Sequence, residues 1–124
     1  DKEGNGVNLL MERKDPIYIK HILDAISRIG EYTQGIKYEN FVNNHLIQDG
    51  VIRQLEIIGE ASKRLSAEIK EKYLEIPWKD IMGMRDKLIH DYFGVDLDAV
   101  WDTVEKDIPV LKNKLQDSSW EKSL

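Results

Sequence analysis

The chain has 124 residues, of which 33% are charged and 41% hydrophobic, and this balance is typical of a globular domain rather than a disordered segment. Its length suits one domain with a single core. It contains no cysteine, so disulfides, thiolate metal sites and a cysteine nucleophile are excluded. The net charge of −5 argues against a broad nucleic-acid-binding surface, because affinity for phosphates comes largely from clustered lysines and arginines. We therefore expect any contact with RNA to be local and to be formed by residues of more than one subunit.

The sequence predicts neither a membrane-spanning helix nor a signal peptide, because no apolar run approaches about eighteen residues and no charged segment leads into an apolar one. We therefore expect a cytoplasmic protein. Residues 1–10 are polar, contain two glycines and precede Met11, which would be a natural start. We interpret them as a disordered extension or an expression remnant, and residues 11–124 as a single helical domain.

Two helices are predicted in the first half of the chain. Asp15 followed by Pro16 is typical of a helix N-terminus, and isoleucines and leucines then recur every three or four residues, so a first helix should run from about 16 to 33. Gly35 would end it. A long second helix is predicted over 38–65, with a break near Asn43 and Asn44.

Ser66 should cap a short helix that reaches Tyr73. A helix carrying the most informative motif is predicted over about 78–92, with Gly94 following it. Asp96 should cap the last helix, which Pro109 would kink or divide. Four to five helices joined by short links predict an all-α fold, an antiparallel up-and-down bundle.

The three tryptophans are predicted to differ in their surroundings. Trp78 and Trp101 have apolar neighbours at helical spacing, so we interpret them as core or interface anchors rather than as platforms for base stacking. Trp120 lies in a polar tail and is predicted to be loosely held.

The motif RDKLIHDY, residues 85–92, places a guanidinium, an imidazole and a phenol at the end of one predicted helix. On an ideal helix Arg85 and Tyr92 lie within about 20° of each other, whereas Arg85 and His90 are about 140° apart. One straight helix therefore cannot bring all three together. Convergence requires that the long Arg85 side chain wraps around the helix, that the helix loosens before Gly94, or that a second copy of the helix approaches across a two-fold axis. Asp86 lies four residues before His90 and could accept an imidazole N–H.

This set of side chains fits RNA cleavage without a metal. An imidazole can take the 2′-hydroxyl proton or protonate the leaving oxygen, and a guanidinium can stabilise charge on the phosphorane. The structural alternative is that Arg85 pairs with a surface carboxylate, His90 lies half-buried at a helix end and Tyr92 packs its ring. From the residues alone, the structural alternative is favoured.

Other candidates are weaker. His21 and His45 form no pair with metal-ligand spacing, so no metal site and no cofactor are predicted. Basic residues outside the Arg85 and His90 pair could extend an RNA groove, although solvated helix faces often carry such side chains; they are Arg53, Lys63, Arg64 and Lys87. Gly59 could permit close packing at a core or dimer contact, or could simply be tolerated.

Several segments together resemble the HepT-like ribonuclease toxins of the HEPN superfamily. They are VIRQLEIIGEASKRL (51–65), IPW (76–78), MRDKLIHDYF (84–93), VDL (95–97) and VW (100–101). The resemblance runs from Met11 to about Leu115 and includes the R-x-x-x-x-H-x-Y signature in full. It implies a homodimeric helical bundle whose cleft holds the catalytic Arg85 and His90 of both chains, with RNA as the substrate.

The resemblance also implies a partner, an MNT-type nucleotidyltransferase antitoxin that blocks the toxin by adding AMP to Tyr92. Such a modification would place negative charge and bulk two residues from His90. A second hypothesis remains open, in which the protein is a non-catalytic helical partner and substrate of the nucleotidyltransferase. Both hypotheses imply a dimer, so architecture alone does not separate them.

Overall fold

The chain is all-α, as its apolar periodicity predicts. The computed structural model describes residues 2–88, 94–117 and 120, and for residues 2–13 the backbone alone. Within these ranges there are seven helices: α1 Lys2–Thr33, α2 Tyr38–Val42, α3 His45–Lys63, α4 Ala67–Lys72, α5 Trp78–Met82, α6 Met84–Leu88 and α7 Leu97–Gln116. No helix in this part of the chain has the length and apolar content needed to cross a membrane.

The long helices α1 and α3 pack along each other in opposite directions. Near the C-terminal end of α1, the Tyr32 ring lies 3.1 Å from the position that a Cβ on Gly50 would occupy, early in α3. Asp15, nearer the other end of α1, instead contacts Ser66, just after α3. This arrangement is the antiparallel pairing expected of a bundle with short connections.

Helix α7 is antiparallel to α1 and completes the bundle. Tyr38, which follows α1, donates a hydrogen bond from its hydroxyl to Asp98 in the first turn of α7. At the other end of α7, Lys114 pairs with Glu75, which follows α4, at 3.0 Å. The large side chains that are fully enclosed between these helices form one core: Ile19, Ile22, Ile29, Phe41, Leu55, Ile58, Leu65, Ile81, Met84, Leu88, Leu111 and Leu115.

The prediction that Asp15 and Pro16 begin the first helix is wrong. Helix α1 begins at Lys2 and contains Pro16, so residues 2–10, interpreted from sequence as a disordered extension, have helical backbone. The Asp15 carboxylate is fully buried and accepts hydrogen bonds from the backbone N–H of Ser66 at 2.8 Å and from the Ser66 hydroxyl at 2.5 Å. Ser66 in turn caps α4, as predicted, by accepting from the N–H of Ile69 at 3.3 Å.

The predicted break at Asn43 and Asn44 is confirmed, since α2 ends at Val42 and the Asn44 side chain caps α3 by accepting from the Ile47 N–H at 3.0 Å. The predicted single helix over 78–92 is wrong, because Gly83 separates α5 from α6. Glycine weakens a helix through its backbone entropy. Residues 89–93, the remainder of that predicted helix, lie outside the described residues.

The ends of the other helices agree more closely with the sequence. Gly35 has a positive φ of 72°, as expected of a glycine that follows a helix, and Gly94 has a positive φ of 101°. The residues directly before Gly94 lie outside the described chain. Asp96 caps α7 by accepting from the Ala99 N–H at 3.0 Å. Pro109 does not divide the last helix, because α7 continues through it to Gln116.

All three tryptophans are anchored. The Trp78 indole donates to the carbonyls of Lys70 and Tyr73, both at 3.1 Å, and Trp101 packs against Phe41 with ring centres 5.1 Å apart. The prediction that Trp120 is loosely held is wrong. Its side chain is 8% exposed and its indole donates to the Leu115 carbonyl at 2.8 Å, so the C-terminal end of α7 binds it.

Gly59 allows α3 to approach the α5–α6 segment closely. A Cβ at this position would lie 3.0 Å from the Ile81 carbonyl oxygen and 3.9 Å from the Cβ of Met84. The nearest obstacle is backbone, which cannot rotate away as the end of a side chain can. The glycine is therefore required by packing within the chain, the first of the two alternatives left open by the sequence.

Gly59→Ala should lower the free energy of unfolding by about 1–3 kcal/mol, the usual cost of inserting a methyl group into a packed contact. Gly30→Ala is the matched control, because Gly30 is an exposed position in α1 with no atom within 4 Å of the added Cβ. There the better helix propensity of alanine should stabilise the protein by about 0.5–1 kcal/mol. Urea denaturation of both variants measures the difference, and two stabilising substitutions would contradict the close contact.

Asp15→Ala should lower the free energy of unfolding by about 1.5–3 kcal/mol, since it leaves the buried N–H and hydroxyl of Ser66 without their acceptor. Asp15→Asn keeps one acceptor oxygen and should cost less. Asp24→Ala, at an exposed position on the same helix, should change stability by less than about 0.5 kcal/mol. Thermal unfolding compares the three proteins, and equal effects of the two alanine variants would contradict the capping role of Asp15.

Candidate functional site

Helices α1, α3, α5 and α6 border a cleft of about 420 Å³. Its floor is made of small and apolar residues, among them Gly59 and Ala61 of α3. The side chains that carry chemistry are Tyr18, His21, Arg53, Glu56, Glu60, Arg64 and Arg85. The close approach at Gly59 places Arg85, which follows α5 by three residues, in the same cleft as residues of α3.

Three arginines line this cleft. Arg53 belongs to α3, Arg64 is the residue directly after α3, Arg85 belongs to α6, and all three are exposed. Among the residues that the structure describes, none of the three guanidiniums forms an ion pair with a carboxylate. Three positive groups without carboxylate partners can bind an anion such as a phosphate.

The charged residues of α3 and of its C-cap, Arg64, follow a helical spacing. Arg53, Glu56, Glu60 and Arg64 are separated by three, four and four residues, which places them on one face of the helix. The two arginines are therefore about 16 Å apart along the helix axis, with both carboxylates between them. Glu56 is half-buried and has no ion-pair partner in the described part of the chain, whereas Glu60 pairs with Lys63 at 3.2 Å.

Tyr18 and His21 form the α1 wall of the cleft, and sequence reasoning did not identify either as part of a site with Arg85. Their rings meet edge to face, with centres 6.2 Å apart and planes at 78°. The guanidinium carbon of Arg64 lies 6.0 Å from the centre of the Tyr18 ring. Their three-residue spacing on α1 was the sequence signal that could have placed them on one face of the helix, beside the apolar positions that face the core.

The predicted groove residues separate into two pairs. Arg53 and Arg64 line the cleft together with Arg85. Lys63 forms its ion pair with Glu60 on the exposed surface of α3, and Lys87 contacts Asp107 of α7 at 3.8 Å. The two lysines thus have carboxylate partners and are not among the lining residues.

The motif itself is only partly within the described chain. Arg85 and Asp86 are exposed neighbours on α6. His90 and Tyr92, predicted as the catalytic imidazole and the AMP acceptor, lie outside the described residues. His45 begins α3, away from His21, and in the described part of the chain no three histidine or carboxylate side chains are grouped so as to hold a metal ion.

Comparison with known proteins assigns the chain to a family. The profile described as "Ribonuclease HepT-like" matches residues 22–118. The chain belongs to the HepT-like family. It is 48% identical over 106 residues to a protein of Thermococcus cleftensis named "Probable ribonuclease HepT", an alignment that covers 86% of this chain and 96% of that one.

Two further relatives of this HepT-like chain differ in length. It is 45% identical over 100 residues to a "Putative RNase" of Caldanaerobacter subterraneus, covering 81% of this chain and 89% of the relative. It is 52% identical over 104 residues to a "Gamma-glutamylcyclotransferase and putative RNase" of Methanocaldococcus jannaschii, covering 83% of this chain but 47% of that protein. The chain thus spans about half the length of this last relative. No solved structure matches this HepT-like chain.

Proposed function

We propose that this HepT-like chain is an endoribonuclease whose substrate phosphate binds in the cleft at Arg85. The observation that carries the proposal is the set of three arginines around one cleft, none of them paired with a carboxylate in the described chain. One of the three is the arginine of the R-x-x-x-x-H-x-Y motif. A net charge of −5 is compatible with this, because the positive charge is needed only locally.

Cleavage proceeds by attack of the RNA 2′-hydroxyl oxygen on the adjacent phosphorus. The bond from phosphorus to the 5′ oxygen breaks, which leaves a 2′,3′-cyclic phosphate and a free 5′-hydroxyl. His90 accepts the 2′-hydroxyl proton or donates a proton to the 5′ oxygen, and Arg85 stabilises the negative charge of the phosphorane. Asp86 acts as a positioning residue that orients His90 by accepting an imidazole N–H. None of these steps uses a metal ion.

The active form is proposed to be a homodimer. A separation of five residues places Arg85 and His90 about 140° apart on a regular helix, so one straight helix does not direct both at the same phosphate. A two-fold axis would bring the motif of a second copy to the same substrate and supply a second histidine. The two imidazoles would then divide the two proton transfers between them.

We also infer that the chain is the toxin of a toxin–antitoxin pair. In this proposal the phenol oxygen of Tyr92 attacks the α-phosphorus of ATP on a nucleotidyltransferase antitoxin, and pyrophosphate leaves. The resulting phosphodiester adds a negative charge and an adenosine two residues from His90, which repels and obstructs an RNA phosphate. A non-catalytic partner of the nucleotidyltransferase would accept AMP in the same way without cleaving RNA.

His90→Ala should lower kcat for RNA cleavage by about 10²–10⁴-fold, the usual contribution of a general acid or base. Arg85→Ala should lower it by about 10²–10³-fold. Arg28→Ala is the control, since it removes one exposed arginine of α1 that is not part of the cleft. Cleavage is measured on single-stranded RNA with a chelator present. Equal rates for wild type and His90→Ala would remove the catalytic role of His90 and favour the non-catalytic hypothesis.

Incubation with the cognate nucleotidyltransferase and ATP should add the mass of AMP to the wild-type chain and abolish cleavage. Tyr92→Phe should not be labelled and should stay active under the same conditions, because it lacks the accepting hydroxyl. Tyr38→Phe, which removes the hydroxyl of an exposed tyrosine elsewhere in the chain, should be labelled like the wild type. Mass spectrometry provides the comparison, and undiminished labelling of Tyr92→Phe would show that another residue is the acceptor.

A further inference from the structure

We propose that the cleft beside Arg85 is a subsite for one nucleotide of the RNA, in which Tyr18 stacks on the base and Glu56 selects guanine. The inference deepens the proposed ribonuclease function and rests on it. It concerns the part of the cleft formed by α1 and the middle of α3, which the cleavage chemistry at Arg85 and His90 does not use.

The order of charges along α3 divides the cleft into phosphate and base positions. Arg53 and Arg64 lie at the two ends of the charged face, and Glu56 and Glu60 lie between them. Carboxylates repel a phosphate, so the centre of the face disfavours the RNA backbone while its ends and Arg85 attract it. Of the groups in an RNA, the centre therefore favours one that is uncharged and donates hydrogen bonds, as a nucleobase does.

Tyr18 supplies the surface on which a base can stack. Its ring is half-buried, so its position is held by the core, while its exposed part lines the cleft. The Arg64 guanidinium is 6.0 Å from the centre of the Tyr18 ring. Bases stack on tyrosine rings and on guanidinium planes in complexes with single-stranded RNA. His21 meets the Tyr18 ring at 78° and thus supports it from the side.

Glu56 supplies a test of base identity. An ionised carboxylate only accepts hydrogen bonds, and its two oxygens accept side by side. Guanine presents two neighbouring donors, N1–H and the N2 amino group, whereas adenine, cytosine and uracil each present a donor next to an acceptor. Glu56 is half-buried and has no ion-pair partner among the described residues, so its acceptors are available to a base.

The dimensions of the cleft agree with a single nucleotide. Its volume of about 420 Å³ falls within the range of about 300–1,000 Å³ that is typical of small-molecule sites. An interface with another protein would be larger and flatter, with an apolar centre depleted of charge. Here five charged side chains, Arg53, Glu56, Glu60, Arg64 and Arg85, surround the space.

The test uses short single-stranded RNAs that contain one guanine, adenine, cytosine or uracil in an otherwise constant sequence. The wild type should cleave the guanine substrate with a KM lower by about 5–150-fold, the range expected for one bidentate contact to a base. Tyr18→Ala should raise KM for the guanine substrate by about 5–150-fold with little change in kcat, and Tyr18→Phe should restore it, because phenylalanine also stacks.

Glu56→Gln should abolish the preference for guanine while the protein still binds RNA, since an amide offers one donor and one acceptor in place of two acceptors. Glu31→Gln is the matched control, the same change at an exposed position of α1 distant from the cleft. Because Glu56→Gln hardly changes the size of the side chain, it keeps the inference testable even where Tyr18→Ala fails to fold. The same RNAs are also titrated against proteins carrying His90→Ala, so that dissociation constants are obtained without cleavage.

The outcomes distinguish the subsite from the nuclease. Wild-type cleavage without a guanine preference, or with a preference that Glu56→Gln leaves intact, overturns the subsite and leaves the nuclease standing. Absence of wild-type cleavage, together with a guanine preference in binding that Glu56→Gln removes and RNA binding that Tyr18→Ala weakens, overturns the nuclease and supports the subsite. Loss of the dimer in Tyr18→Ala with unchanged affinity for RNA shows instead that this face contacts a second copy, which overturns the subsite.

Discussion

The contact between Gly59 and the Ile81 carbonyl is the constraint on which the candidate site depends. A Cβ on α3 at this point would lie 3.0 Å from backbone of α5, so only glycine lets the two segments approach to the distance observed. That distance determines where α6 begins, and therefore where Arg85 lies relative to Arg53 and Arg64.

Sequence patterns predicted the local structure well where a single helix end was involved. Ser66, Asn44 and Asp96 were each predicted to cap or break a helix, and each accepts the hydrogen bond expected of a cap. Asp15 was misassigned because a capping residue is recognised by type, whereas its partner was determined by tertiary packing. Its carboxylate reaches Ser66, 51 residues further along the chain, which no local pattern can indicate.

The site shows the same division between local and tertiary information. The motif identified Arg85 from sequence. Arg53 and Arg64 were predicted as groove residues together with Lys63 and Lys87, because all four are basic side chains on predicted helices. Tyr18 and His21 lie in the same cleft as these arginines only because α1 packs antiparallel on α3. Tertiary packing also explains why Lys87 does not line the cleft with the arginines. Lys87 faces Asp107 of α7, a residue whose proximity depends on the bundle rather than on the motif.

Ion pairing explains how an acidic chain can present a local site for an anion. The ammonium groups of Lys63, Lys87, Lys106 and Lys114 each lie within 4.0 Å of a carboxylate, whereas the three cleft guanidiniums have no such partner in the described chain. Surface pairs of this kind add little to stability. Their consequence is electrostatic, because each pair neutralises the charge of one lysine, whereas three unpaired arginines are grouped in the cleft. Binding there should therefore release few counterions and depend only weakly on salt, unlike binding by a broadly basic surface.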